Sequence, residues 1–256
     1  MFRALAVAFG FLTIIPVSHR AWESPESFGR AFGWFPLVGW VLAGVLAFVA
    51  SVLNGWLPSS VLAAVLVGLW VLLTGGLHLD GLMDSCDGLF CARPAHERLE
   101  IMRDPHTGAF GVLGAVCVLL LKYGALSALL STPGALHYAL LLAPVLGRWA
   151  MVIATICFPY GRNGETLGAV FRKSAGIREL GLASACTLLI ILLTSIFTGS
   201  DLLAGILVAS AAGLLTWGLA LWALRRLPGL TGDLYGATNE VVEAVVLIIF
   251  SARWLG

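Results

Sequence analysis

Seven runs of about 20 apolar residues, at roughly 34–57, 59–77, 109–130, 135–158, 180–199, 201–224 and 240–255, leave this chain little choice of surroundings. A helix of that length spans the roughly 30 Å hydrocarbon core of a bilayer. Only 11% of the 256 residues are charged, against roughly 25% in a soluble domain. So little polar surface cannot cover a water-soluble particle of this size. The predicted class is therefore all-α: a polytopic helical bundle in a lipid bilayer, with residues 1–256 as one integral-membrane domain. A net charge of +1 excludes the broad basic face of a nucleic-acid binder. Five scattered cysteines without CxxC spacing read as reduced, buried thiols. Residues 1–17 resemble a signal peptide but are followed by SHRAWESP with no small-x-small cleavage site. They read as a retained apolar or interfacial helix.

The links between runs alternate in length. Short ones lie at 57–60, 131–134 and 199–200; long polar ones lie at about 18–33, 78–108, 159–179 and 225–239. If each run crosses, all the long links share one side. They hold Arg20, Arg30, Arg93, Arg98, Arg103, Arg162, Arg172, Lys173, Arg178, Arg225 and Arg226, most of the 15 basic residues. The excess of Lys and Arg predicts a cytoplasmic face for these links. All acidic residues except Asp201 lie in them or just beyond, at Glu240 and Glu243. Polar mass gathered on one face predicts that the chemistry takes place there.

Its densest part is GGLHLDGLMDSCDGL at 75–89. At about 100° per residue, Asp80, Asp84 and Asp87 share one face of a helix, with Asp80 and Asp84 roughly 6 Å apart. Two carboxylates at that separation repel by about 1–3 kcal/mol, and each costs about 3 kcal/mol if buried at membrane depth. A divalent cation relieves both penalties. Hard oxygen donors without Cys or His at ligand spacing suit Mg²⁺ or Mn²⁺ rather than Zn²⁺. Gly76, Gly81 and Gly88 open the backbone to a ligand or a second helix. His78 projects away from the three aspartates.

Downstream, RPAHERLEIMRDPHTGAFG at 93–111 supplies Arg93, Arg98 and Arg103 with Glu97, Glu100 and Asp104. This pattern fits a salt-bridged amphipathic helix, and equally arginines that grip phosphate oxygens. In GLTGDLYGATNEVVEA at 229–244, Asp233 reads as a loop residue, with Asn239, Glu240 and Glu243 opening the last apolar helix. The link at 161–176 adds Arg162, Glu165, Arg172 and Lys173, either as a phosphate-facing loop or as a connector. Lys122 and Arg148 are the only charges deep inside apolar runs and mark either packing or a cleft.

The strings GGLHLDGLMDSCDGLF, RLEIMRDPHTGAFGVLG and GLTGDLYGATNEVVE, with FLTIIPV and GWFPLVGWVLAG nearer the start, resemble the adenosylcobinamide-GDP ribazoletransferase (cobalamin synthase) family in order and over nearly the whole chain. HxDGxxDxxDG at His78–Gly88 is the most specific of them. The resemblance implies an integral enzyme of the bacterial cytoplasmic membrane that uses Mg²⁺. It would join adenosylcobinamide-GDP to α-ribazole or its 5′-phosphate, giving adenosylcobalamin or its 5′-phosphate and GMP. Its partners would be these corrinoid and nucleoside small molecules and the lipid bilayer; homo-oligomerisation stays open. Such a transfer needs a metal on the pyrophosphate, positive groups on the leaving GMP and a base or positioning acid for the ribose hydroxyl. The expected metal ligands are Asp80, Asp84 and Asp87, and the expected catalytic acids or bases are Asp104, Asp233 and Glu240. His78, Arg93, Arg98, Arg103 and Asn239 are the expected substrate-binding residues. Two other readings are a CDP-alcohol-type phosphotransferase, whose fuller DGxxAR pattern is missing, and an ion-coupled transporter, whose acids belong near mid-span.

Overall fold

The computed structural model describes residues 2–18, 25–162 and 175–252. Arg20, Glu165, Arg172, Lys173 and Arg253 lie outside the described residues. Within them there is no strand, and the chain runs through helices α1 (Phe2–Leu12), α2 (Pro25–Ala31), α3 (Phe35–Leu53), α4 (Ser59–Leu73), α5 (Leu77–Phe90), α6 (Ala95–Ile101), α7 (Ala109–Leu129), α8 (Pro133–Cys157), α9 (Ile177–Thr198), α10 (Leu202–Leu224) and α11 (Gly232–Ser251). Six helices are long and apolar enough to cross a membrane: Ser27–Leu53, in which a 3₁₀ turn joins α2 to α3, and α7, α8, α9, α10 and α11. With 11 residues, α1 is only about 16 Å long, too short to cross. The chain is a multi-pass membrane protein.

Two boundaries differ from the sequence reading. The run at 59–77 is not one straight span. Helix α4 stops after 15 residues, and the chain turns through 90° into α5. Gly75 and Gly76 make the turn, with φ of 61° and 72°, a left-handed region that side chains with a Cβ rarely adopt. The freed backbone is partly re-satisfied: the amide of Ile14 donates to Leu73 O at 3.0 Å, and the Thr74 hydroxyl donates to Val71 O at 3.1 Å. The last helix starts at Gly232 rather than near 240, because Thr231 caps it by accepting from the Leu234 amide. Asp233 is thus in its first turn and Glu240 in its third.

Helix α8 is the central element, packed against α3, α9, α10 and α11. Lipid supplies no hydrophobic drive between helices, so close packing depends on small residues at the crossings. A Cβ on Gly39 of α3 would stand 2.5 Å from the Pro144 carbonyl oxygen of α8. The short connections gather at one end: Ser51 bonds His137 at 2.8 Å, and the Tyr138 hydroxyl donates to Asp201 O at 3.1 Å. The long connections meet at the other end, where Gly161 N donates to Leu230 O at 2.8 Å and Arg162 donates to Met102 O at 3.1 Å.

A charged cluster ties the bundle together from within. Lys122 of α7 donates to Glu240 at 2.7 Å and to Glu243 at 2.5 Å, both on α11. Arg148 of α8 is also bonded to Glu243, and both of these residues are fully buried. The Lys122 ammonium sits 4.6 Å from the centre of the Trp70 ring on α4. Two cations and two carboxylates cancel formally, which makes their burial tolerable in an apolar bundle. Lys122→Met strands two carboxylates with one arginine, and breaking a buried pair in this way costs about 3–5 kcal/mol. The purified variant in detergent is expected to unfold at a clearly lower temperature, and Lys122→Met/Glu240→Gln to regain part of the loss. An unchanged midpoint in the single variant would show that the cluster does not support the packing.

Candidate active site

The site is built where α5 crosses α11, and glycine makes the crossing. A Cβ on Gly81 would stand 2.8 Å from the carbonyl oxygen of Asp233 and 3.0 Å from its Cα. Across the same contact, a Cβ on Gly236 would stand 3.1 Å from His78 O. Backbone lies on backbone, so the acids flanking the two glycines meet. Asp80 and Asp233 line one cavity of about 260 Å³, together with His78 and the aromatic rings of Phe11, Phe32, Phe35 and Tyr235. A second depression of about 560 Å³ shares Phe11, Leu77 and Asp80 with it. Phe32 and Phe11 stack on Phe35, with ring centroids 4.6 and 6.1 Å away, and make an apolar wall opposite the acids.

Asp84 lies one turn beyond Asp80, half-buried, and feels the charges of Asp233, Asp80 and Asp87 as well as that of Arg162. Arg162 is the local counter-charge: its guanidinium bonds Asp233 at 2.6 Å. The Thr231 hydroxyl donates to the same carboxylate at 3.2 Å. Asp87 departs from the expected arrangement. Its two oxygens accept from the amides of Gly108 and Gly111, each at 2.8 Å. It caps the start of α7, where helix N–H groups lack partners. Among the described residues no three His, Cys, Asp or Glu side chains are grouped closely enough to hold a metal ion by themselves.

The other expected residues divide clearly. His78 is buried, lines the cavity, and leaves Nε2 without a partner. Asn239 is buried against Gly147 of α8, and neither of its amide atoms finds a partner. Glu240 is a correction: it does not open the last helix but sits buried in the ion cluster, held by Lys122. The Arg98 guanidinium bonds the carbonyls of Gly88, Leu89 and Arg93 at 2.6–3.0 Å and closes the end of α5. Arg93 pairs with Glu97 at 3.5 Å on an exposed face, as a salt-bridged amphipathic helix would have it, and Arg103 is exposed. Asp104 lines a separate shallow depression with Arg93 and Glu100. It accepts from the His106 amide at 2.9 Å and bonds the imidazole at 2.7 Å. Those bonds, the backbone one first, hold its carboxyl below the usual carboxylate range. Asp104 is therefore not brought to the cavity of Asp80 and Asp233.

Sequence reasoning left two groups unassigned. Arg162 gave only its place in a polar loop as a signal. The partners of Lys122 and Arg148 were within reach: a cation inside an apolar span demands an acid at its own depth, and Glu240 and Glu243 are the acids carried in an apolar helix. The crossing itself is open to a direct check. Gly81→Ala places a methyl against backbone that cannot swing aside, and overpacking of this kind costs about 1–3 kcal/mol. Gly124→Ala on α7 meets nothing within 4 Å and is expected to be neutral or slightly stabilising. Equal thermal midpoints for the two variants would contradict the close crossing.

A family model for cobalamin-5-phosphate synthase matches residues 4–251. An adenosylcobinamide-GDP ribazoletransferase from Desulfitobacterium hafniense is 41% identical over 248 residues, covering 96% of this chain and 95% of that protein. One from Pseudomonas fluorescens is 41% identical over 246 residues, covering 94% and 96%. One from Acetivibrio thermocellus is 34% identical over 249 residues, covering 97% of each. No solved structure matches the chain. With the match running from α1 into the last turn of α11, and with relatives aligned over nearly their whole lengths, the chain belongs to the cobalamin-5-phosphate synthase family of transferases.

Proposed function

We propose that this transferase joins adenosylcobinamide-GDP to α-ribazole, or to its 5′-phosphate, and releases GMP with adenosylcobalamin or its 5′-phosphate. Membership of the family supports a cobalamin synthase acting in nucleotide-loop assembly. The observation that carries the finer reading is the convergence of Asp80 and Asp233 on one cavity. In the reaction a ribose hydroxyl oxygen bonds to the cobinamide phosphorus, the bond from that phosphorus to the GMP oxygen breaks, and the hydroxyl proton leaves to a carboxylate. Asp233, fixed by Arg162 and Thr231, is the acceptor we assign. Arg162 and the exposed Arg103 supply positive charge for phosphate oxygens. The wall of Phe11, Phe32 and Phe35 receives an aromatic ring of the substrate and keeps water from the reacting atoms.

A divalent cation, Mg²⁺ in our reading, fits this donor set. Asp80, Asp84 and Asp233 crowd negative charge that, among the described residues, Arg162 alone offsets at Asp84. Mg²⁺ is commonly held by one or two carboxylates, the remaining positions being filled by water and substrate phosphates. Asp80 and Asp84 would hold it, so a three-carboxylate cage is not required. When bound, the ion spreads the charge of the pyrophosphate and of the departing GMP. The polar end of the bundle faces the cytoplasm of the bacterial inner membrane in this proposal, with Arg93, Arg98, Arg103, Arg162, Arg225 and Arg226 on the inside.

Three measurements test the reading. Purified protein given both substrates and Mg²⁺ is expected to release GMP, and chelation to stop it reversibly. Asp84→Asn and Asp233→Asn are each expected to lower kcat at least tenfold with little change in KM, as for an interaction made mainly in the transition state, worth about 2–4 kcal/mol. Near-normal turnover of both variants in chelator would remove the metal role. In intact cells, cysteines introduced at Arg98, Asp104 and Arg226 are expected to resist a membrane-impermeant reagent added outside. Efficient labelling of any two would reverse the assigned orientation.

A further inference from the structure

Behind the aspartates, on the opposite face of α5, lies a recess of about 500 Å³ that the reaction does not use. Its walls come from four helices: Leu89 of α5, Val118 of α7, Leu219 of α10, and Leu234 and Val241 of α11. At about 100° per residue, Leu82, Ser85, Cys86 and Leu89 point away from Asp80, Asp84 and Asp87. The recess therefore backs onto the active site and shares no acid with it. Its volume is that of a small-molecule pocket, which run from roughly 300 to 1,000 Å³. An almost wholly apolar lining excludes a nucleotide or a phosphate from its interior.

The mouth has a different chemistry. Phe90 is 6.0 Å from Phe110 and 5.7 Å from Trp222, centroid to centroid, and Phe90 and Trp222 line the recess. The Arg226 guanidinium lies 4.3 Å from the centre of the Trp222 ring, and its Nη1 donates to Trp222 O at 3.2 Å. Arg225 beside it is exposed. Phe90, which lines the recess, and Phe110 beside it are exposed apolar groups, surroundings that suit acyl chains. Within the walls, the Ser85 hydroxyl is 2% exposed and has no partner. An apolar slot, an aromatic collar, a cation at the rim and one spare donor match an amphipathic ligand with an anionic head. Basic groups beside pockets between membrane helices bind anionic headgroups, and tryptophan settles at the same interfacial depth.

We propose that this recess binds one anionic phospholipid of the surrounding bilayer, with an acyl chain between α7 and α10 and the phosphate on Arg226. The Ser85 hydroxyl donates to an ester carbonyl of the same lipid. The bound chain fills the back of α5 and so supports the helix that presents Asp80 and Asp84. This site goes beyond the proposed reaction and is independent of it, since lipid retention can be read without turnover.

The test uses the purified full chain in detergent, incubated with phosphatidylglycerol or with phosphatidylcholine of the same acyl chains. Retained lipid is counted by native mass spectrometry. The wild-type protein is expected to keep phosphatidylglycerol over phosphatidylcholine by about fivefold, the scale of one basic residue at a membrane surface. Arg226→Gln, a change at the rim that leaves the core intact, is expected to abolish that preference while acyl retention persists. Val241→Trp fills the recess and is expected to lose both lipids. Equal retention of the two lipids by the wild type, or a preference surviving in Arg226→Gln, would overturn the proposal. Displacement of the lipid by GMP would instead assign the recess to the reaction's nucleotide, and would overturn it too.

Discussion

Two carboxylates and two cations, locked together among the helices, set the geometry on which the site depends. An isolated charge at the centre of a bilayer costs about 2.5–3.5 kcal/mol or more, so Lys122, Arg148, Glu240 and Glu243 can be buried only in one another's company. Both acids belong to α11, whereas the cations come from α7 and α8. This fixes the rotation of α11 about its own axis. Four residues before Glu240 on that helix is Gly236, and three before that is Asp233. A rotation that satisfies the ions therefore also turns Gly236 onto α5 and Asp233 toward the cavity.

The second constraint is what is missing. Carboxylates repel, and bringing them together from two helices needs an attraction or an absence of bulk. Gly81 and Gly236 provide the latter, allowing the two backbones to touch, so dispersion between the helices offsets the charge repulsion nearby. Arg162 then neutralises one of the acids without entering either helix. Asp87 is removed from the crowd altogether by the two α7 amides. What remains, Asp80 and Asp84 with Asp233 opposite, is a site with more negative charge than its partners among the described residues cancel.

The spans and the clustering of polar residues at one end were legible in the sequence, because hydropathy and helical periodicity are local properties. So was the shared face of Asp80 and Asp84, and the family resemblance was carried by the same strings. The Lys122–Glu240 and Arg162–Asp233 pairs join residues 118 and 71 positions apart; the depth of Lys122 in an apolar run asks for an acid at the same depth, whereas Arg162 carries no signal beyond its place in a polar loop. Glu240 reads from the sequence as an acid that opens the last helix, because it stands near the start of an apolar run. Only the cap at Thr231 shows that the helix had begun two turns earlier. Arg98 reads as a phosphate ligand because an arginine has the same sequence signature whether it grips an anion or, as here, the carbonyls at the end of a neighbouring helix.

The bend between α4 and α5 sets how the acids are presented at the polar end of the bundle. Non-helical backbone at membrane depth is tolerated where protein or a water-filled cavity covers it, and here the tail of α1 and the Thr74 hydroxyl do the covering. Had the run continued straight, the aspartates would have followed α4 along its axis as a charged extension. Turned through 90°, α5 has two usable sides instead: an acidic one toward α11 and the cavity, and an apolar one toward α7 and α10. The acidic side is held by glycine contacts and by ions anchored deeper in the bundle. The apolar side packs Leu82 and Cys86 into one buried cluster with Val118 of α7 and Ala244 of α11, and the recess continues beyond that contact, so the positions of Asp80 and Asp84 depend on packing behind α5 as well as on the ions deeper in the bundle.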